Sequence, residues 1–98
     1  MPGVERLVDE TRWFDGGTVA RAVILEVPKS EEYPDGYKIR LHYGTEEGKT
    51  LLRYDNSHGV FEKHTGEGDA EAIELGYFEA YERFKEHVKE KEEVDRIW

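Results

Sequence analysis

The segment Tyr37-Lys38-Ile39-Arg40-Leu41-His42-Tyr43 decides the fold of this chain. Tyr37, Ile39, Leu41 and Tyr43 alternate with Lys38, Arg40 and His42, and a side-chain period of two puts the apolar set on one face of a strand. Beyond a turn candidate, Thr45-Glu46-Glu47-Gly48, the pattern recurs: Thr50, Leu52 and Tyr54 alternate with Leu51, Arg53 and Asp55. A four-residue loop at 45–48 predicts Gly44 opposite Lys49, Leu41 opposite Leu52 and Ile39 opposite Tyr54, a register that keeps both apolar faces together. On the outer face that register sets Arg40 against Arg53 and Lys38 against Asp55. Facing arginines either splay into solvent or make a small anion-receptive patch.

The flanking segments extend the sheet and then cover it. Val4 to Phe14 alternates weakly and closes on Asp15-Gly16-Gly17, a turn signal. Thr18 to Val27 reads as a central strand, with Val19, Val23, Leu25 and Val27 on one face, interrupted by Arg21, and the small Ala20, Ala22 and Ile24 on the other. Pro28 ends it, and residues 29–36 form a polar loop closing on Tyr33-Pro34-Asp35-Gly36. Residues 57–69 read as a loop and Ala70 to Leu75 as one short strand. From Tyr77 the period changes: Tyr77, Tyr81, Phe84 and Val88 form a helical stripe backed by glutamate and lysine. Val94, Ile97 and Trp98 continue an apolar thread, read as a contact for a partner. The expected fold class is α+β: one domain over 1–98, a mostly antiparallel sheet of four to five strands packed by one C-terminal amphipathic helix.

Composition narrows the function. Ninety-eight residues suffice for one core, fed by aromatic residues at 12%. There is no cysteine and no apolar run of membrane-spanning length, so a soluble, cytosolic protein without thiolate metal sites is expected. Net charge is -9, which disfavours binding to duplex DNA over the whole surface. Residues 37–64 nevertheless balance to +1, with Lys38, Arg40, Lys49, Arg53 and Lys63 against Glu46, Glu47, Asp55 and Glu62.

That non-acidic island holds the chemistry. Arg53-Tyr54-Asp55-Asn56-Ser57-His58-Gly59 ends a strand and is followed by His64, bringing a guanidinium, a carboxylate, a carboxamide and two imidazoles close in sequence. Imidazoles take and return a proton near neutrality, as phosphodiester cleavage requires, and an arginine stabilises the developing charge. The candidate catalytic residues are therefore His58, His64 and Asp55, with Arg53, Arg40 and Asn56 as substrate contacts. Asp55 and Asn56 equally suit a turn, where their side chains bond nearby main chain. A metal site on His58, His64 and Asp55 lacks a fixed ligand spacing, so neither metal nor cofactor is expected.

Over nearly its full length the chain resembles the TumE-type toxins of toxin–antitoxin pairs. The resemblance rests on the first strand ending in Asp15-Gly16-Gly17, the second ending at Val27-Pro28, the Tyr33-Pro34-Asp35-Gly36 loop, the Arg53-Tyr54-Asp55-Asn56 run with His58-Gly59, and the closing His64. The family's histidine-rich stretch often ends in His-x-His, whereas this chain reads Glu62-Lys63-His64, which removes one imidazole from any site built on both. The resemblance implies a toxin working with a small helix-turn-helix antitoxin. Together with the residue chemistry it gives the functional expectation, a toxin acting on RNA by ribonuclease-like cleavage. No membrane partner is expected, and a homodimer is one assembly the chain leaves open. The alternative from another class is a non-enzymatic protein-binding module using the sheet face or the C-terminal helix.

Overall fold

A computed structural model describes residues 3–57, 59–66, 68 and 70–98. Six strands, β1 (Glu5–Trp13), β2 (Thr18–Glu26), β3 (Tyr37–Thr45), β4 (Thr50–Asp55), β5 (Glu62–Thr65) and β6 (Ala70–Ala72), form one sheet in chain order. Each pairs antiparallel with the next. Helix α1 (Tyr77–Glu92) packs on one face, so the fold is the expected α+β with one or two strands more. The addition is β5, in the stretch read as loop. Its sequence, Glu-Lys-His-Thr, has no apolar alternation. Lys63, paired with Tyr54, instead lays its ammonium over the Tyr54 ring at 5.9 Å. The strand forms because the free edge of β4 needs partners for its main-chain N–H and C=O groups.

The inner face matches the alternation: Ile39, Leu41, Tyr43, Leu52 and Tyr54 are all buried. On β2 the buried face is the small one, Ala20, Ala22 and Ile24, while Val19, Val23 and Leu25 stay half-exposed on the open face. The helix runs alongside β3. Tyr77 meets Tyr37 ring-to-ring at 5.8 Å, Phe84 meets Tyr54 at 6.4 Å, and Glu92 accepts from the Tyr43 hydroxyl. The lengths agree: strand residues 37 to 43 span about 20 Å at ~3.3 Å each, and helix residues 77 to 92 about 22 Å at ~1.5 Å each. Burial and the Glu92 carboxylate push the Tyr43 phenol up to about 12. Burying Phe84 completely contributes roughly 2–3 kcal/mol of transfer free energy.

Helix α1 ends at Glu93, a non-glycine residue at φ 57°, and the chain turns back over the sheet. The apolar thread read as a partner contact is spent internally. Ile97 is buried in the core, and the Trp98 indole N–H donates to the Tyr81 hydroxyl at 2.8 Å. Arg12 Nη1 donates to the main-chain oxygens of Arg96 and Ile97.

The β3–β4 register differs from the expected one by two residues. Thr45 N–H donates to Lys49 O, so the loop closes over Glu46, Glu47 and Gly48, one residue shorter than expected. Gly48 at φ 98° supplies the positive φ that such a turn needs. A bulge then separates the pair Gly44–Thr50 from Tyr43–Leu52. A Cβ on Gly44 would lie 2.4 Å from Lys49 O, so only glycine permits this approach. Two one-residue shifts preserve which face is buried but change every neighbour. Arg40 stands opposite Asp55, not Arg53, and Arg53 stands opposite His42. The predicted pair of facing arginines does not form.

Candidate functional site

The register lays a row of polar residues across the open face. Arg21 on β2 pairs with His42 on β3, His42 with Arg53 on β4, and Arg53 with His64 on β5. The next row holds Val23, Arg40, Asp55 and Glu62. Over its strands this face carries Arg6, Arg21, Lys38, Arg40 and Arg53 against Asp9, Asp55 and Glu62, a net charge of +2. The whole chain carries -9. The sheet's open side is therefore the cationic side of an acidic protein.

Arg53 sits at the centre. Its Nη2 donates to Nε2 of His64 at 3.1 Å, and its Nε lies 3.0 Å from Asp55 Oδ2. That Nε is screened from solvent, yet its N–H is not aligned on any acceptor among the described residues, so the contact with Asp55 is an ion pair without a formed hydrogen bond. Asp55 Oδ1 accepts from the Ser57 hydroxyl at 3.1 Å and the Ser57 N–H at 3.4 Å. Glu62 Oε1 lies 3.8 Å from His64 Nε2. The result is a chain of contacts, Ser57 to Asp55 to Arg53 to His64, on the wall of a cavity of about 550 Å³. A guanidinium N–H can only donate, so Nε2 of His64 is the acceptor in this contact.

Lys38 and Arg40 line the same cavity. Among the described residues no carboxylate lies within ion-pair distance of either; Lys38 instead rests over the Tyr33 ring at 6.0 Å. Glu32 and Tyr33 reach the cavity from the loop between β2 and β3. Asn56 also touches it but is buried, with both ends of its amide engaged. Oδ1 accepts from Ile39 N–H at 3.0 Å, and Nδ2 donates to Tyr37 O at 2.7 Å. It continues the ladder on β3 where β4 has ended. Among the sequence-predicted residues, Arg53, Arg40, Asp55, Asn56 and His64 thus surround one cavity, and His58 lies outside the described residues.

Sequence reasoning passed over His42. Its ring occupies the space a Gly44 Cβ would fill, at 2.8 Å, with Nε2 3.2 Å from Thr50 Oγ1. Burial, then the cations of Arg40 and Arg53, lower its pKa from the ordinary histidine value and so favour the neutral ring. The available signal was glycine within a strand, two residues from a histidine on the same face. Among the described residues no three histidine, aspartate or glutamate side chains converge as a metal site, and no helix is long and apolar enough to cross a membrane.

No curated protein and no solved structure matches the chain. The model of a family described as "Toxin TumE" matches residues 4–92, which takes in every strand and the whole helix, and the chain therefore belongs to the TumE toxin family.

Proposed function

We propose that this protein is the toxin of a toxin–antitoxin pair, restrained by a small helix-turn-helix antitoxin, and that it acts on RNA at the open face of its sheet. One observation carries the reading: Arg53 joins Asp55 and His64 at the edge of a cavity on the open face of the sheet, which over its strands carries a net +2 in an acidic molecule. Arg53 and Arg40 contact a phosphate, and Asp55 holds the Arg53 guanidinium in place. A phosphate oxygen that takes the Arg53 Nη2 hydrogen bond releases the lone pair of His64 Nε2. The freed imidazole, with His58 as the second, removes the proton of a ribose 2′-hydroxyl. The 2′-oxygen then attacks phosphorus, and the departing 5′-oxygen leaves with a proton from the other imidazole. Asn56 serves the site by holding β3.

The half of the open face formed by β1 and β2 supports a second reading, a non-enzymatic protein-binding surface. Trp13 is exposed there, and Val19, Val23 and Leu25 are half-exposed. Incubating the purified protein with total RNA, with and without EDTA, separates the two. Cleavage that persists in EDTA supports the first reading, and intact RNA supports the second.

A further inference from the structure

Beside the candidate site the open face has a second depression, of about 240 Å³, lined by Arg21, Val23, Arg40 and His42. Among the described residues no carboxylate lines it. Arg40 is the wall it shares with the larger cavity. The β2–β3 register builds it, since Arg21 pairs with His42 and Val23 with Arg40. These four side chains form a two-by-two patch of cations and imidazole around one valine. The Arg21 guanidinium is oriented in advance: Nη1 donates to Thr11 Oγ1 at 2.6 Å, and Nη2 lies 3.1 Å from Asp9 Oδ1. Asp9 is shared with Arg6, whose Nη1 lies 3.3 Å from Oδ2. One carboxylate between two guanidiniums leaves the trio at +1. Exposed pairs of this kind are weak enough for a ligand to compete with.

We propose that this depression is a second phosphate subsite, so that the face takes a single RNA strand several nucleotides long, one phosphate on Arg53 and Arg40 and a neighbouring one on Arg21, with Arg40 standing between the two. The inference rests on the RNA reading above. Arg21 and Arg53 belong to one cross-strand row with a single strand between them. Their backbones are therefore about 10 Å apart, and two long guanidinium side chains can serve successive phosphates. A duplex would lay many more phosphates against a molecule of net charge -9. A single strand needs only this cationic strip.

The test uses the full chain and uncleavable 2′-O-methyl oligonucleotides, a dinucleotide and an octanucleotide, with binding followed by fluorescence anisotropy against salt. Arg21→Gln is expected to weaken octanucleotide binding several-fold, to lower the magnitude of its log–log salt slope by about 0.7, and to leave dinucleotide binding unchanged. Val23→Asp places a carboxylate in the depression without removing an arginine and is expected to do the same or more. If both variants bind the octanucleotide like the parent while Arg53→Gln weakens both probes, the subsite is refuted and the RNA reading survives. If Arg53→Gln also changes nothing, the RNA reading falls and the subsite with it.

Discussion

Arg53 and His64 face each other across β4 and β5, the guanidinium Nη2 donating to the imidazole Nε2 at 3.1 Å. Two groups that could each carry positive charge thus share one hydrogen bond. The imidazole accepts in this contact, and Asp55 pairs with the guanidinium from its other side. Arg53 thus lies between a carboxylate and an imidazole.

Asn56 is a structural member of this site. Replacing it by alanine leaves the buried Ile39 N–H and the Tyr37 carbonyl without partners. Asn56→Ala should cost about 1–3 kcal/mol, read from urea denaturation. Any loss of toxicity should follow the fraction unfolded at the assay temperature.

Gly44 gives the β3–β4 hairpin its bulge. Gly44→Ala drives a methyl to within 2.4 Å of the Lys49 carbonyl oxygen and 2.8 Å of the His42 ring. The expected loss is roughly 1–3 kcal/mol. The His42 ring resonances should move in NMR spectra, because the imidazole no longer fits beside Thr50.

His42 and His87 both have pKa values lowered in the folded state from 6.5. Arg21 faces His42 from β2, Arg53 from β4 and Arg40 along its own strand. For His87, burial acts first, then Lys91 and Lys63, opposed by Glu90. Below about pH 6.5 the unfolded chain binds these protons and the folded chain resists them, so stability is complete above that pH and declines as pH falls. His42→Gln should flatten the decline between pH 7 and pH 5.5 in urea midpoints. A decline equally steep in the variant would exclude His42 as a source.

The elements with a strong period could be read from the residues alone. Tyr37 to Tyr43 alternates because one face of β3 packs under the helix, and Tyr77, Tyr81, Phe84 and Val88 trace the stripe that covers it. Strand β5 could not be read, because its inward residues are Lys63 and Thr65 and not apolar side chains. Its absence hid the Arg53–His64 contact, which exists only once β5 pairs with β4. The hairpin register failed for a local reason, a shorter turn and a bulge that Gly44 alone permits. That Arg53, Asp55 and His64 belong to one candidate site was legible from their closeness in sequence, and they line one cavity. That Asn56 would be bound to main chain was one of two readings its residue type allowed, and only the end of β4 beside Tyr37 decides it.

In the proposed mechanism the guanidinium–imidazole pair of Arg53 and His64 works on RNA. Its most direct measurement is cleavage of a defined single-stranded RNA by the purified protein in EDTA, comparing the parent with Arg53→Gln and His64→Ala, each verified as folded by circular dichroism. Both variants should lose about 100-fold or more in rate, and both should lose growth inhibition in the host. Parent-like cleavage by either folded variant, or toxicity that survives both substitutions, would contradict the assignment.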